Sequence, residues 1–378
     1  MKDYFGELSI IGMKGSEKFV ERVDEYLRTW RKNEKDSYLV NFDCPRFRTG
    51  EGKGIINQTL RGHDTYIYAD VFNYGVTYNM YGMTVPMSPD DHFQDLKRII
   101  CANEHKSRRV SVIMPMLYEG RQHRRNGRES LDCAVALQEL VNMGVSNIIT
   151  FDAHDARVQN AIPSSGFDNV RTSYQMLKAL VRKYPDVQFD PEQLMVVSPD
   201  EGGMSRAMYY SSVLGLELGM FYKRRNYTIV IDGRNPIEAH EFLGHSVDGR
   251  DIIIVDDMIS SGESILDIAQ KLKEELGARR IFVFATFGLF CNGLEKLDAA
   301  YEKGWFDQIF TTNLNYRPQA IVDRPWYTEV SLCKYVAYLI DNMNRDETIS
   351  ELLNPITRIH TLADKARRGE FLEKSKQQ

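Results

Sequence analysis

Short apolar runs and amphipathic segments alternate along almost the whole chain. Runs such as Val110–Met114, Asn147–Phe151 and Ile252–Val255 have the length and aliphatic content of buried strands. Between such runs, apolar residues recur three and four positions apart, which is the spacing of one helix face. Alternation of this kind is typical of an α/β protein whose sheet is largely parallel.

One unit of helix, glycine and strand occurs twice. Residues Ala134–Gly144 form an amphipathic pattern that stops on glycine before the strand pattern Asn147–Phe151, and Ile265–Gly277 does the same before Ile281–Thr286. The two glycines lie 133 positions apart (277 − 144). We therefore expect two similar α/β domains in tandem, joined within the polar, turn-rich stretch Ile162–Asn169.

Composition limits the class of partner. At 378 residues, with 43% hydrophobic and 27% charged residues, the chain has the length and balance of a two-domain globular protein. Its net charge of −5 gives no overall attraction to nucleic acid or to an anionic membrane. Basic residues cluster at Arg121–Arg128 and Lys223–Arg225. These clusters suit a small anionic substrate, although either one alone is explained more simply as a solvated basic face.

Several classes of site and location are disfavoured. The five cysteines are scattered without a Cys-x-x-Cys pair, which argues against a zinc site and a disulfide framework and favours reduced thiols. Gly50–Gly54 lacks the Gly-Lys-Ser/Thr ending of a phosphate-binding P-loop. The first residues lack the apolar core of a signal peptide, and no run approaches transmembrane length. We expect a cytoplasmic protein that binds neither nucleic acid nor membranes.

Residues 251–265 carry the strongest chemical signal. The strand pattern Ile252–Val255 ends on two carboxylates, Asp256 and Asp257, and a Ser/Gly loop then leads into an amphipathic helix. The amides of Ser260–Ser264 would lie at a helix N-terminus, which favours an anion. Carboxylates that accept hydrogen bonds from vicinal hydroxyls, beside a phosphate cradle, predict a phosphorylated sugar as ligand. An acidic pair after a strand can also occur without any ligand.

The same stretch resembles the phosphoribosyl-diphosphate fingerprint of the phosphoribosyltransferase fold. That fingerprint usually has two acidic residues, two variable ones, and then Asp-Thr-Gly-Gly-Thr or a close variant. Here Ser260 stands in place of the third acid, and Glu263 stands in place of a glycine. Ser261 and Ser264 replace the two threonines.

Further motifs follow one another in a fixed order, and most lie just past strand patterns, where sheet enzymes keep their sites. Taken singly, His154 could be a structural histidine and Asp200 could simply cap a helix. Taken in order, the motifs resemble ribose-phosphate pyrophosphokinases over roughly residues 8–325. The motifs are Phe47–Glu51, Arg121-Gln122, Asp152–His154, Ser198–Gly203, Lys223–Arg225 and Asp256–Ser264.

The resemblance implies a fold and a reaction. The fold is α/β, with two tandem phosphoribosyltransferase-like domains, each a mostly parallel sheet flanked by helices. We expect an ATP-side domain in residues 1–165, a ribose 5-phosphate-side domain in residues 166–330, and a helical extension and tail in residues 331–378. In the implied reaction, ATP donates its β,γ-diphosphoryl group to the 1-hydroxyl of ribose 5-phosphate, which gives phosphoribosyl diphosphate and AMP.

The resemblance also implies residue roles. Lys223 and Arg225 would clamp the transferred group, with Arg225 also reaching ribose 5-phosphate, and His154 and Asp200 would hold Mg²⁺. ATP would be bound by Phe47, Thr49, Gly50, Glu51, Arg121 and Gln122. The family takes its Phe47–Glu51 loop from a neighbouring subunit, which implies a homo-oligomer. Ribose 5-phosphate would be bound through its hydroxyls by Asp256 and Asp257, and through its phosphate by Ser260, Ser261, Gly262, Glu263 and Ser264.

Two alternatives remain open. A catalytically silent, synthetase-like regulatory subunit is favoured by Thr49, which replaces the family's aspartate, and by Ser260 and Glu263. A phosphoribosyltransferase that consumes phosphoribosyl diphosphate would share the 251–265 loop. It would not require the Arg121-Gln122 pair, the Lys223–Arg225 block or two domains.

Overall fold

The computed structural model describes residues 4–32, 34–225 and 237–375, with the backbone alone described for 223–225, 237–240, 374 and 375. The chain divides by its contacts into two compact units. The first comprises the described residues up to Arg171, together with Asn313–Pro318 and Ser331–Asn354. The second comprises Thr172–Thr312, Gln319–Val330 and the described residues from Pro355 onward.

Strands and helices alternate in both units. The strands are β1 (Glu7–Gly12), β2 (Phe42–Asp43), β3 (Ile55–Ile56), β4 (His63–Tyr68), β5 (Thr77–Met80), β6 (Met83–Pro86), β7 (Arg109–Ile113), β8 (Asn147–Phe151), β9 (Gly166–Val170), β10 (Leu194–Ser198), β11 (Glu217–Arg225), β12 (Ile237–Leu243), β13 (Asp251–Ile259), β14 (Arg280–Gly288), β15 (Gln308–Thr312) and β16 (Tyr327–Val330). The α-helices are α1 (Glu17–Trp30), α2 (Pro89–Asn103), α3 (Asp132–Asn142), α4 (Ser173–Lys183), α5 (Met204–Leu214), α6 (Glu263–Gln270), α7 (Glu295–Glu302), α8 (Gln319–Val322), α9 (Cys333–Asn344), α10 (Ser350–Leu353), α11 (Ile356–Arg367) and α12 (Glu370–Ser375). None of the described helices is both long enough and apolar enough to cross a membrane.

The first unit is built on a five-stranded sheet in the order β1-β4-β7-β8-β9, and every neighbouring pair is parallel. Its core joins strand residues such as Ile67, Val112 and Ile148 to Leu96 of α2 and Leu137 of α3. Because the strands are parallel, the loops that follow β7 and β8 emerge at one edge of the sheet.

The second unit is built on a seven-stranded sheet in the order β12-β11-β10-β13-β14-β15-β16. Only the β11–β12 pair is antiparallel. From β10 the chain moves outward to β11 and β12, then returns on the other side of β10 to form β13. The boundary between β10 and β13 is therefore a topological switch point, where α/β sheets usually bind ligands at the carboxyl ends of their strands. The predicted fold, a mostly parallel sheet with flanking helices in each of two domains, is confirmed.

The stretch expected to join the domains contains a strand. Gly166–Val170 forms β9 and pairs with β8 along its length, from Asn147 with Gly166 to Phe151 with Val170. The division between the units instead falls between Arg171 and Thr172. Strand β9 lies at the sheet edge and buries only Val170, so its sequence carries no apolar alternation to mark it.

The C-terminal extension is shared between the units. Residues up to Asn354 belong to the first, where α9 contacts α1 and Arg31 donates to Asp341 and Asn344 at 2.8 and 2.9 Å. Helix α11 belongs to the second, where Arg367 donates to the carbonyl of Leu214 at the end of α5. The additional C-terminal residues therefore brace helices of both units.

A buried ion cluster fixes the start of β13. Asp251, 1% exposed, accepts paired hydrogen bonds of 2.7–3.1 Å from Arg279 and Arg280. Burial alone would raise the pKa of Asp251, but the two guanidinium groups outweigh it and hold the pKa below its usual value. These ion pairs therefore stabilise the fold at neutral pH. The stabilisation is lost as the pH falls below about 3.9, the pKa of an aspartate in the unfolded chain.

Asp251→Ala is expected to lower the free energy of unfolding by about 1.5–3 kcal/mol at neutral pH, because it removes a buried carboxylate that accepts charge-assisted hydrogen bonds from Arg279 and Arg280. Asp186→Ala is the matched control, since Asp186 also pairs with Arg280 but is 52% exposed. Its loss should cost under about 1 kcal/mol. Urea unfolding at pH 7 measures both variants, and equal losses would contradict the assignment.

Candidate active site

The acid pair lies inside β13 rather than after it. The sequence pattern placed the strand end at Val255, but β13 continues to Ile259 because Met258 and Ile259 still pair with Phe287 and Gly288 of β14. The Asp256 side chain is 27% exposed and that of Asp257 is 5% exposed. Both acids therefore lie near the carboxyl end of a central strand, as predicted. The strand itself ends four residues later than the sequence pattern indicated.

The two acids interact with each other and with an arginine. The Asp257 backbone N–H donates to Oδ1 of Asp256 at 2.8 Å, and Nη1 of Arg206 lies 3.8 Å from Asp256 Oδ1 and 4.0 Å from Asp257 Oδ1. Burial, and then the charge of Asp257, raise the pKa of Asp256 well above its usual value, while Arg206 lowers it. Among the described contacts, the guanidinium group of Arg206 is therefore placed to favour the charged form of both carboxylates.

The loop after β13 leads directly into α6. Gly262 is buried and has φ +81°, a conformation that residues with a side chain rarely adopt. The Ser260 carbonyl accepts from the Cys291 N–H at 2.8 Å, and Ser260 Oγ lies 3.7 Å from Cys291 Sγ. The segment after β14 thus holds the loop from one side, while the first amides of α6 supply the anion-favouring end of a helix.

Glu263 is the first residue of α6, and its side chain is exposed. Its carboxylate forms an ion pair with Lys296 of α7. A carboxylate at this place would otherwise repel a phosphate, but the lysine compensates its charge. The same carboxylate also suits the positive end of the α6 dipole.

If the loop binds the phosphate of ribose 5-phosphate, as the sequence predicts, Lys296→Ala should weaken that binding about two- to five-fold, because the Glu263 charge is then unpaired near the loop. Adding Glu263→Gln should restore the affinity. Isothermal titration calorimetry of the two single variants and the double variant measures this coupling. If the effects of the two substitutions on the binding free energy simply add in the double variant, Glu263 does not influence the loop.

The Ser198–Gly203 segment follows β10, on the other side of the switch point. Oδ1 of Asp200 accepts from the Gly203 N–H at 3.1 Å, and Ser198 Oγ donates to the Asp200 carbonyl at 2.7 Å. Asp200 thus stabilises the turn that starts α5, which is the structural role that the sequence also allowed. Asp200 is half-buried just past the end of β10.

Lys223 and Arg225 lie at the end of β11, and their side chains fall outside the described residues. Met220 of β11 pairs with Ser198, the last residue of β10. Lys223 and Arg225 therefore follow three and five residues beyond that pair. On the backbone, both lie at the carboxyl edge of the sheet, on the strand next to β10.

In the first unit, the structure brings the Arg121–His123 segment to the loop after β8. Nε2 of His123 lies 3.4 Å from Asp155 Oδ2, and the rings of His123 and His154 have centroids 5.4 Å apart. Gln122 donates to the Ser130 carbonyl at 2.8 Å. Arg121 and His154 are exposed at this edge of the sheet.

The Phe47–Glu51 loop is a compact turn. The Phe47 N–H donates to the Glu51 carbonyl at 2.7 Å, and Thr49 Oγ1 donates to Glu51 Oε2 at 2.9 Å. Gly50 has φ +94°, and a Cβ there would lie 2.8 Å from Met80 Sδ. The Phe47 side chain is exposed. Among the described contacts of this loop, none reaches Arg121 or Gln122.

The residues predicted to hold a divalent metal suit an ion that also binds phosphate oxygens. In the described part of the chain, no group of three or more His, Cys, Asp or Glu side chains could hold a metal ion. Mg²⁺ is commonly bound by one or two carboxylates plus phosphate oxygens and waters, so Asp200 suits a metal carried by a polyphosphate. His154 and Asp200 belong to different units, and their pairing stays a prediction.

Three residues near these loops were absent from the sequence-based set, namely Arg206, Lys296 and Cys291. Arg206 has a detectable signal, since it is a cation three residues after Gly203 in the first turn of the helix. Lys296 and Cys291 reach the loop only through the packing of α7 and the segment after β14, which the sequence pattern does not reveal.

Comparison with known proteins gives two consecutive domain matches. The family model described as the N-terminal domain of ribose phosphate pyrophosphokinase matches residues 8–144, and that of the phosphoribosyl transferase domain matches residues 168–310. The ribose-phosphate pyrophosphokinase of Vibrio cholerae is 28% identical over 313 residues, covering 82% of this chain and 90% of that protein. That of Mycoplasma genitalium is 28% identical over 309 residues, covering 79% and 89%.

A solved structure has the same fold. The crystal structure of phosphoribosylpyrophosphate synthetase from Mycobacterium smegmatis matches with a TM-score of 0.72 and 19% sequence identity. The match covers 90% of this chain and 99% of that one. With both domain matches in the expected order, the chain belongs to the ribose-phosphate pyrophosphokinase family of transferases.

Proposed function

We propose that the protein transfers the β,γ-diphosphoryl group of ATP to the 1-hydroxyl of ribose 5-phosphate. The C1 oxygen attacks the β-phosphorus of ATP, the bond to the α-phosphate oxygen breaks, and the hydroxyl proton is released. The products are phosphoribosyl diphosphate and AMP. The observation that carries the proposal is that the acid pair of β13 and the loop after it lie at a switch point, while Lys223 and Arg225 end β11 on the other side of β10.

Ribose 5-phosphate is assigned to the end of β13. Asp256 and Asp257 would accept hydrogen bonds from the ribose hydroxyls, as ionised carboxylates do strongly. The 5-phosphate would be bound by Ser260, Ser261, Gly262, Glu263 and Ser264, chiefly through backbone N–H groups at the start of α6. The ion pair of Glu263 with Lys296 supports this assignment, because it removes the main electrostatic objection.

ATP is assigned to Arg121 and Gln122, with Phe47, Thr49, Gly50 and Glu51 contributed by a neighbouring subunit. The exposed Phe47 side chain supports a loop that reaches another molecule, and the assignment implies a homo-oligomer. His154 and Asp200 would hold Mg²⁺, and the positive charge of the ion would offset negative charge on the triphosphate. We further infer a cytoplasmic location.

Catalysis is assigned to Lys223 and Arg225. Negative charge grows on the transferred group and on the AMP leaving group, so cations aimed at both stabilise the transition state more than the ground state. Arginine suits a multi-oxygen anion, while lysine supplies a compact charge. Positioning and electrostatics then account for most of the rate, as in phosphoryl transfer generally.

Release of AMP that depends on ribose 5-phosphate tests the function. The purified chain is incubated with ATP and Mg²⁺, with and without the sugar phosphate, and nucleotides are separated by chromatography. The proposal expects AMP only when the sugar phosphate is present. A folded, metal-supplied protein that forms no AMP would instead fit a silent regulatory subunit, for which Thr49 and Ser260 are the supporting features.

A further inference from the structure

Arg206 contacts both acids of β13 from another element. Its Nη1 lies 3.8 Å from Asp256 Oδ1 and 4.0 Å from Asp257 Oδ1, and its side chain is 13% exposed. Arg206 starts from the first turn of α5, which follows β10. The contact therefore crosses the switch point between β10 and β13 and joins α5 to β13.

A cation at this place opposes the effects that disfavour the charged form of the acid pair. Two adjacent carboxylates repel each other, and burial and the Asp257 charge raise the pKa of Asp256. A protonated carboxyl loses part of its capacity to accept hydrogen bonds from sugar hydroxyls. A guanidinium about 4 Å away favours the charged form of both groups.

We propose that Arg206 is a positioning residue that keeps Asp256 and Asp257 charged and oriented, and so sets the affinity for ribose 5-phosphate. The identity of this ligand rests on the proposed function. Arg206 acts through the two carboxylates, so its loss affects sugar binding far more than ATP binding. A lysine retains the charge but not the planar fork, so it replaces arginine only in part.

Isothermal titration calorimetry with ribose 5-phosphate compares the wild type with Arg206→Met, Arg206→Lys and Arg250→Met. Methionine keeps an apolar stem without the charge. Arg250 is the matched control, since it is 14% exposed, pairs with Glu217 and adjoins the opposite end of β13. We expect about tenfold weaker binding for Arg206→Met, recovery to within about threefold for Arg206→Lys, and wild-type binding for Arg250→Met.

Titration of the same proteins with ATP and Mg²⁺ separates a specific effect from a folding defect, and ATP affinity should not change. Wild-type sugar binding by Arg206→Met, no rescue by lysine, or an equal loss of ATP binding would each overturn the inference. So would a wild type that does not bind ribose 5-phosphate. A wild type that binds the sugar with this dependence on Arg206 but forms no AMP would overturn the proposed function and leave the inference standing.

Discussion

Lys223→Ala is expected to lower kcat for AMP formation by about 10²–10³-fold, which is the usual effect of removing one group aimed at developing charge. In the proposed role the lysine stabilises mainly the transition state, so KM for both substrates should change little. Its backbone position supports this role, three residues beyond the β11 residue that pairs with the end of β10. Steady-state rates and thermal unfolding are measured on the same preparation.

Lys303→Ala is the control for removal of a lysine from the second unit. Lys303 is exposed and its ammonium lies 4.6 Å from the Trp305 ring, outside every loop assigned to the site. Its replacement should leave kcat unchanged, whereas Arg225→Ala should resemble Lys223→Ala. An unchanged rate in Lys223→Ala would show that the catalytic assignment is wrong.

The second large effect is expected at the acid pair. Asp257→Asn keeps the shape of the side chain but removes the charge, so KM for ribose 5-phosphate should rise about 10- to 100-fold, the range for hydrogen bonds to charged groups. Because the Asp257 side chain is 5% exposed, thermal unfolding must first show that the variant is folded. The KM for ATP serves as the internal reference and should stay within about threefold.

The sugar itself provides a sharper control. If the acid pair contacts the ribose hydroxyls, the wild type should prefer ribose 5-phosphate over 2-deoxyribose 5-phosphate, and Asp257→Asn or Asp256→Asn should reduce that preference. A preference that is identical in wild type and both variants would place the hydroxyl contacts elsewhere. The comparison separates loss of a specific contact from general damage to the loop, which would weaken both sugars equally.

The regular elements were largely predictable, because buried parallel strands and amphipathic helices leave strong periodic signals. The strand Asn147–Phe151 has the predicted bounds, and both helix–glycine–strand units form, with φ +90° at Gly144 and +76° at Gly277. Edge strand β9 escaped prediction because it buries one residue of five. The full length of β13 was not predicted, because its last residues are in the strand through their pairing with β14, which lies far along the chain.

The candidate site was predictable only as far as motifs are local. The acid pair, the loop after β13 and the Asp200 turn are single segments in or next to strands, and parallel topology brings them to one edge of the sheet. The compensation of Glu263 by Lys296 and the contact of Arg206 with the acids join segments at least 33 residues apart. Such contacts depend on how helices pack on the sheet, which no local pattern specifies.

Transfer of a diphosphoryl group to the sugar can be followed directly by ³¹P NMR of the reaction. Wild-type protein is incubated with ATP, Mg²⁺ and ribose 5-phosphate, with Lys223→Ala as the control. We expect the ATP signals to be replaced by those of AMP and of a diphosphate attached to the sugar, in equal amounts. Formation of ADP, or an ATP spectrum that does not change when ribose 5-phosphate is added, would contradict it.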